Sequence, residues 1–449
     1  MEIREIDWQQ VGEEAVTILS RYIRIDTTNP PGNEIEGALF LKDILEREGF
    51  ESVVLESERG RGNIVSRYKG DGTLPPLLLL HHIDVVPAEE DKWVHPPFSG
   101  KVTNGEIWGR GAYDCKSLGV MELMVLLLLK RNGFKSKRDI ILLATSDEEA
   151  GGKHGAEWML KNHFNLVKAD FVINEGGIAG LAVNGSNFYL CQTAEKGVCW
   201  VRLTFKGTPG HASMPDGNNC ISDMASVVER VSRYQSRLQK SPIVTGFIEG
   251  LARGQDFMEE KKFLGLLDET TCMSVLDRIP ERGLRNILNT MLHNTFVPTV
   301  VHAGNKTNVI PSECLCEIDC RMLPGENPQS ILFELREASG GLAEFDIEIL
   351  GSSTPTESGT DTELYSIIER CVKRHDHDAM LIPFISAGAS DSRFFREMGI
   401  TAYGFAPLKI GEPLSSHLKK MHGHNERIYI ESLPHAIKVL YDVVSEFCS

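Results

Sequence analysis

The stretch Leu77-Leu78-Leu79-Leu80-His81-His82-Ile83-Asp84 places an apolar run directly before polar side chains. Four consecutive leucines are typical of a strand that is covered on both faces, as in a parallel sheet. Because residues i and i+2 of a strand point to the same face, His82 and Asp84 share one face and His81 points to the other. Taken alone, the His-x-Asp pattern more often marks a hydrogen-bonded strand histidine than a metal ligand.

Apolar strand-like runs and helical patterns alternate around this stretch. Further apolar runs lie at 139–145 and 169–174, and helical periodicity is found at 116–132 and 155–162. This alternation is typical of βαβ units and predicts an α/β fold with a mixed, mostly parallel sheet. In such sheets, functional side chains gather beyond the carboxyl ends of the strands.

The middle of the chain has a different pattern. Residues 198–205 alternate with period two, which favours an antiparallel strand with one covered face. We predict an inserted α+β domain at 195–352, including a mostly helical excursion at 242–296. The catalytic domain is then formed by 1–194 and 353–449. The other elements predicted for the insert are strands at 298–302, 313–322 and 345–350 and helices at 221–238 and 329–338.

Composition limits the partners and the compartment. A chain of 449 residues exceeds one usual hydrophobic core, and its net charge of −16 argues against nucleic acid or an anionic membrane as a partner. The apolar run 118–129 is too short to span a bilayer and contains Glu122. The N-terminus lacks a signal-peptide pattern, and the ten cysteines form no C-x-x-C pair. We therefore expect a cytoplasmic protein with reduced thiols and no membrane contact.

Carboxylates and histidines recur where the predicted strands and turns end. Asp114 follows a glycine-rich turn, the acidic run 147–149 and Glu175 each follow a strand, and His422 and His424 flank a glycine. Each has a simple alternative: a helix cap, a solvated charge run or a surface turn. Together, they favour a two-metal site, because carboxylate and imidazole groups suit zinc and three adjacent acids repel one another without cations.

The order of these segments resembles the co-catalytic zinc family of aminoacylase, N-acetylornithine deacetylase, succinyl-diaminopimelate desuccinylase and glutamate carboxypeptidase. The resemblance covers essentially the whole chain. It implies a phosphorylase/hydrolase-like catalytic domain and a ferredoxin-like lid and dimerisation domain. The segments that carry it are His82-Ile83-Asp84-Val85-Val86-Pro87, Trp93, Pro97-Phe98-Ser99-Gly100, Gly109-Arg110-Gly111-Ala112-Tyr113-Asp114-Cys115-Lys116, Asp147-Glu148-Glu149, Glu175, Gly210-His211-Ala212, Asn308-Val309-Ile310-Pro311 and His422.

The resemblance also implies a set of metal ligands around two zinc ions per chain, for which cobalt can substitute. His82, Asp114 and Glu175 would hold one ion. Glu149 and His422 would hold the other together with Asp114, which bridges the two. His422 is preferred to the nearby His424 because the family's histidine lies four residues before a glutamate.

Catalytic roles follow from the same resemblance. Glu148 is expected to be the general base, and Asp84 the partner that orients His82. His211 matches a histidine that relatives supply from the lid of a neighbouring subunit, where it stabilises the oxyanion. This implies a homodimer joined through the inserted domain; the alternative is a loop histidine without a catalytic part.

Substrate contacts are expected from Arg321, Asn308 and Gly388. The first two resemble groups that hold a substrate carboxylate, and Gly388 lies where relatives often show Gly-Gly-Thr-Asp. Cys115 stands where relatives commonly have methionine, which is expected to change packing more than ligation. The resemblance implies that the peptide bond between Asp114 and Cys115 is cis.

The predicted function is zinc-dependent hydrolysis of an amide bond next to a free carboxylate. Glu175 favours an N-acyl amino acid amidohydrolase, since the family's deacylases more often have Glu at this ligand position and its peptidases Asp. A carboxypeptidase or dipeptidase acting on a short peptide is the alternative. A non-catalytic binding protein of the same fold is the third candidate, and it is disfavoured because Glu148 and all five ligand positions are present.

Overall fold

The computed structural model describes residues 6–215, 217–409 and 412–449. In these residues, the main sheets are a large one of ten strands and a small one of four. The helices are α1 (Trp8–Ile23), α2 (Glu34–Arg47), α3 (Lys116–Arg131), α4 (Ala156–Asn162), α5 (Phe164–Val167), α6 (Cys220–Ser232), α7 (Pro242–Arg253), α8 (Phe257–Leu264), α9 (Cys272–Leu276), α10 (Arg282–Leu292), α11 (Pro328–Ser339), α12 (Glu363–His375), α13 (Ser392–Glu397), α14 (Leu414–Leu418) and α15 (Ser432–Phe447). The strands are β1 (Ser52–Glu56), β2 (Gly62–Tyr68), β3 (Leu77–His82), β4 (Lys101–Thr103), β5 (Glu106–Trp108), β6 (Ile140–Thr145), β7 (Phe171–Asn174), β8 (Ile178–Val183), β9 (Ser186–Glu195), β10 (Gly197–Lys206), β11 (Gly210–His211), β12 (Thr295–Ala303), β13 (Val309–Ile310), β14 (Glu313–Met322), β15 (Asp346–Ser353), β16 (Thr356–Glu357), β17 (Met380–Ser386), β18 (Thr401–Gly404) and β19 (Arg427–Tyr429).

The large sheet has the order β1-β2-β6-β3-β7-β18-β9-β16, with β8 and β17 also paired to β9. Its centre is parallel, since β3 runs parallel to both β6 and β7, and β7 runs parallel to β18. The leucines of β3 are fully buried because helices cover both faces of the sheet. The predicted α/β class with a mixed, mostly parallel sheet is confirmed.

Helix α3 is buried along nearly its whole length, which explains its apolar sequence. Oε2 of its one acidic residue, Glu122, lies 2.7 Å from Nδ1 of the buried His81. Gly119 allows this close packing, because a Cβ there would lie 2.4 Å from Nε2 of His81. Among the described residues, no helix is both long and apolar enough to cross a membrane.

The small sheet is antiparallel, with the order β12-β14-β10-β15, and α6 and α11 pack with it in one hydrophobic core. Along the chain, these elements follow the order βαββαβ, which is the ferredoxin-like arrangement predicted for the insert. A short antiparallel pair of β11 and β13, which are about 100 residues apart in sequence, belongs to the same part of the chain. The domain boundaries themselves stay a prediction.

The helical excursion packs on the large sheet. Phe247 of α7 lies near Phe384 of β17 with the two rings tilted to one another. Both belong to a core that also contains residues of β8, β9 and α10. Gly250 brings α7 close to the sheet, since a Cβ there would lie 2.2 Å from Ile382. The excursion thus lies beside the predicted catalytic edge.

Helix α6 ends at Ser232, so the predicted helix at 221–238 was too long. The chain that follows Ser232 forms hydrogen bonds with α10 and with His293, the residue after α10. The carbonyl of Ser236 faces Nδ1 of His293 at 2.8 Å, and the amide of Gln239 donates to the carbonyl of Leu292 at 2.9 Å. These long-range bonds replace the helical ones.

Candidate active site

The carboxyl ends of three neighbouring parallel strands bring the predicted site residues together. His82 ends β3, Glu148 lies in a short turn after β6, and Glu175 directly follows β7. Asp114 reaches the same edge from the residue pair before α3. The topology therefore unites side chains that are far apart in sequence.

His82, Asp114 and Glu175 form the first part of a ligand cluster. Nε2 of His82 lies 3.0 Å from Oδ1 of Asp114 and 3.8 Å from Oε1 of Glu175. Sγ of Cys115 also falls in this group, whose donor atoms all lie within 4.8 Å of one another. Burial raises the pKa of the Cys115 thiol well above its usual range, which disfavours the thiolate that would bind metal.

Asp114 also belongs to the second part of the cluster. Nε2 of His422 lies 3.2 Å from Oδ2 of Asp114 and 3.1 Å from Oε2 of Glu149. The two carboxylate oxygens of Asp114 thus face the two parts. His424 lies elsewhere, with its Nε2 2.8 Å from Oε2 of Glu89. The geometry agrees with the preference for His422.

The electrostatics of the cluster suit cations. Burial raises the pKa of Glu149 and Glu175, so negative charge there is poorly compensated by the protein. Oε1 of Glu149 is buried without a hydrogen-bond partner in the described part of the chain. Hydrogen bonds to Asp114 and Glu149 raise the pKa of His422 to about 10. These two imidazoles and three carboxylates lie close enough to hold metal ions, and ligands of these types suit zinc.

Asp84 is fully buried and holds the acidic turn in place. Its Oδ1 accepts the backbone N–H of Glu148 at 3.1 Å, and its Oδ2 accepts that of Glu149 at 3.0 Å. The contact to His82 differs from the prediction: Nδ1 is 2.9 Å from the backbone carbonyl of Asp84 and 3.5 Å from its carboxylate. The main chain of Asp84 orients the imidazole, while its side chain fixes the neighbouring acids.

A buried network behind Asp84 was missed by the sequence analysis. Nδ2 of Asn29 donates to Oδ2 of Asp84 at 2.8 Å, and Nη1 of Arg61 donates to Oδ1 of Asn29 at 3.1 Å. Arg61 also pairs with Asp147, which has a positive φ of 70°, and with Glu34 at 3.2 Å. Asn29 and Arg61 carry no local motif, because only the fold brings them to the turn.

Glu426 holds the bridging aspartate from the other side. Its Oε1 accepts the backbone N–H groups of Tyr113 and Asp114 at 2.8 and 3.0 Å, and its Oε2 pairs with Arg110 at 2.7 Å. The four-residue spacing from His422 was the sequence signal for this glutamate. The peptide bond between Asp114 and Cys115 is cis, as the resemblance implied.

An apolar cavity of about 340 Å3 opens beside Asp114 and Glu175. Gly388 and its neighbour Ala387 line one wall, and the contact of Gly388 with substrate stays a prediction. Three residues of α10 line another wall, so the helical excursion takes part in the cleft. Its other apolar lining residues include Leu118, Phe384, Leu408 and Leu418.

The predicted lid residues stand apart from the ligand cluster. His211 is exposed in β11, and its Nδ1 receives bonds from the amide and hydroxyl of Ser213 at 3.2 and 2.7 Å. Asn308 lies next to the paired strand β13, and its carbonyl accepts the amide of Ala212. Arg321 pairs with Asp319 and donates to the carbonyl of Ala387 at 3.4 Å, which brings it to the cavity wall.

Comparison with known proteins agrees with this site and fold. The sequence pattern of peptidase family M20/M25/M40 matches residues 78–446. The chain is 30% identical over 399 residues to the N-fatty-acyl-amino acid synthase/hydrolase PM20D1 of Xenopus tropicalis, covering 86% of this chain and 75% of that protein. It is 25% identical over 448 residues to aminoacylase-1 of Mus musculus, covering 97% and 95%. The crystal structure of the M20 family metallo-carboxypeptidase Sso-CP2 from Sulfolobus solfataricus superposes with a TM-score of 0.69 at 21% identity, covering 96% of this chain and 98% of that one.

The fold, the ligand cluster and these relatives define a metal-binding hydrolase of amide or peptide bonds. The chain belongs to peptidase family M20/M25/M40.

Proposed function

We propose that this protein is a two-zinc amidohydrolase that removes the acyl group from N-acyl amino acids. The observation that carries the proposal is the paired ligand cluster around Asp114, with Glu148 held beside it by Asp84. Two of the relatives, an aminoacylase and an N-fatty-acyl-amino acid hydrolase, support the substrate class.

Five residues would hold the metals: His82 and Glu175 on one side, Glu149 and His422 on the other, and Asp114 between them. The chemistry that zinc supplies when bound is polarisation of the amide carbonyl and a lower pKa for water. The chain holds two of these ligands in fixed positions, because Asp84 accepts the backbone N–H of Glu149 and Glu426 accepts that of Asp114.

Glu148 is the proposed general base. Burial raises the pKa of its carboxyl well above the usual range, which suits a group that accepts a proton and later releases it. Its carboxylate would take a proton from the attacking water and return it to the nitrogen of the leaving amine. The hydrogen bond from the backbone N–H of Glu148 to Asp84 fixes the main chain from which this side chain extends.

Arg321, Asn308 and Gly388 are proposed to hold the amino acid's carboxylate end. The planar fork of Arg321 suits a carboxylate, and its present contact with Ala387 already places it at the cavity wall. Binding of substrate would replace its pair with Asp319.

We further propose a homodimer joined through the inserted domain at 195–352, with His211 completing the partner's site. In support, the edge strands β12 and β15 of the small sheet carry exposed Val297, Val301, Ile349 and Leu350, and exposed apolar edges favour pairing. The split catalytic domain at 1–194 and 353–449 is supported by two cores: one contains residues of both its parts and none of the insert, and the core of the small sheet contains residues of the insert alone. A cytoplasmic location is proposed from the ten cysteines, which are all free and buried.

A carboxypeptidase or dipeptidase activity is the second candidate, supported by the fold shared with a metallo-carboxypeptidase. A panel of N-acyl amino acids, dipeptides and C-terminally free peptides, assayed with added zinc or cobalt, separates the two. Faster turnover of the N-acyl amino acids is the expected result. Faster turnover of peptides would establish the second candidate, and no hydrolysis of any substrate would favour a binding protein.

A further inference from the structure

The apolar cavity beside Asp114 and Glu175 has walls that suit one part of a substrate. Among the described residues that line it, Asp114 and Glu175 are the only charged ones. Leu118, Phe384 and Leu408 are at most 8% exposed and pack their side chains around the space. A wall without further charge cannot neutralise an ionic group, and its mostly apolar surface favours an apolar one.

The size of the cavity exceeds what an acetyl group needs. A volume of about 340 Å3 corresponds to roughly ten groups of methylene size, at about 30 Å3 each, the share of one water molecule in the liquid. An acetyl methyl would leave most of it empty. An extended chain of several carbons would fill it.

Helix α10 of the excursion forms one wall of this cavity and provides none of the proposed metal ligands. Three residues within one helical turn line the cavity: Ile287 is buried, Thr290 is half-buried, and Asn286 is exposed at the opening. The helix is fixed at its end by Lys196, whose Nζ donates to the carbonyls of Thr290 and His293 at 3.1 and 2.8 Å. The wall is therefore attached to the start of the inserted domain.

We propose that this cavity binds the acyl chain of the substrate and that α10 sets its preferred length. This rests on the proposed function. Of the three proposed carboxylate-binding residues, Gly388 lies in the cavity wall, whereas Arg321 and Asn308, which carry the polar side chains, are both absent from the described lining. The amino acid would therefore face the lid, and the group on the other side of the amide would enter the cavity. The protein should prefer medium-length, unbranched N-acyl amino acids to N-acetyl ones.

The experiment compares N-acetyl, N-hexanoyl and N-decanoyl derivatives of one amino acid with the wild-type protein and variants of α10. Each buried methylene should raise kcat/KM about 4-fold, which corresponds to about 0.8 kcal/mol. The hexanoyl substrate should therefore exceed the acetyl one by at least about 100-fold. Thr290→Phe and Asn286→Trp should each lower kcat/KM for the hexanoyl and decanoyl substrates at least tenfold more than for the acetyl substrate, since the larger side chains fill space that only the longer acyl chains need.

Arg282→Trp is the matched control, because Arg282 is exposed on the same helix and does not line the cavity. Its chain-length profile should match the wild type. A second series with a fixed acetyl group and longer amino acid side chains should be insensitive to Thr290→Phe. If this series responds and the acyl series does not, the cavity takes the side chain and the proposal is wrong.

Calorimetric binding separates this proposal from the proposed function. The hydrolytically silenced Glu148→Gln protein should bind the N-decanoyl compound at least tenfold more tightly than the N-acetyl one, and Thr290→Phe in that background should remove the difference. Equal affinities would overturn the cavity assignment even if N-acyl amino acids are hydrolysed. A tenfold difference without any hydrolysis by the wild type would keep the assignment and overturn the amidohydrolase function.

Discussion

Replacing Asp84 with asparagine turns one carboxylate oxygen into an NH2 group in a fully buried position. The carboxylate accepts three hydrogen bonds: Oδ1 from the amide of Glu148, and Oδ2 from the amide of Glu149 and from Nδ2 of Asn29. The asparagine should place its oxygen at the Oδ2 position, where it accepts from the amide of Glu149 and from Nδ2 of Asn29, because the opposite orientation loses both bonds. Its NH2 group then faces the amide of Glu148.

The magnitude follows from these bonds. One buried donor left without an acceptor costs about 1–3 kcal/mol, and the two remaining bonds lose the assistance of a charged acceptor. We expect Asp84→Asn to lower the free energy of unfolding by about 2–4 kcal/mol. Because the released amide belongs to Glu148, kcat should fall by about 100-fold, the effect of displacing a catalytic group by about 1 Å. Metal content should fall much less than kcat, because the hydrogen bond from the backbone N–H of Glu149 is kept.

The assay combines urea unfolding with kcat and metal content of the folded variant. Asp139→Asn is the matched control, since Asp139 also accepts a backbone amide, that of Gly70, and pairs with Arg67. It precedes β6 at the opposite end of the strand and is 26% exposed, so water can replace a lost bond. The control should lose at most about 1 kcal/mol and keep its kcat. Wild-type stability and kcat in Asp84→Asn would refute the reasoning; lost stability with an unchanged kcat would show that Asp84 supports the fold alone.

Three further outcomes follow from the proposed site. Glu148→Gln should keep its metal and lose several orders of magnitude in kcat, whereas Glu149→Gln should lose metal first; near-normal turnover in Glu148→Gln would show that the base is assigned wrongly. Chelation should lower Tm by several degrees and added zinc should restore it, because metal at about 1,000 times its Kd stabilises the folded chain by about 4 kcal/mol; an unchanged Tm in a chain that holds no metal before chelation and takes up none from added zinc would contradict a metal site. Mixing inactive His211→Ala and Glu148→Ala proteins should restore part of the activity, since one site of each heterodimer carries neither defect; no recovery after demonstrated subunit exchange would exclude action of His211 in trans.

The sequence allowed the prediction of those features that depend on local pattern. The leucine run ending at His82 predicted a buried parallel strand, and the acids at 147–149 and Glu175 marked the ends of its neighbours. Because parallel strands end at the same edge, the proximity of these groups followed from topology alone. The order βαββαβ of the insert could also be predicted, because each of its strands and helices has its own local pattern.

Contacts between distant segments could not be predicted from such patterns. The binding of Asn29 to Asp84 and of Arg61 to Asp147 joins residues that lie 55 and 86 positions apart. The helix at 221–238 appeared longer because its sequence permits helix, while long-range bonds to Leu292 and His293 end it early. The place of α10 at the cavity depends on side-chain packing against β17, which periodicity does not specify.

The central claim is that Asp114 bridges two metal ions between the two histidines. A crystal structure of the zinc-loaded protein, with anomalous scattering measured on both sides of the zinc absorption edge, tests it most directly. We predict two zinc peaks per chain, one near His82 and Glu175 and the other near Glu149 and His422, with a carboxylate oxygen of Asp114 bound to each. A single peak, or two peaks away from Asp114, would contradict the account.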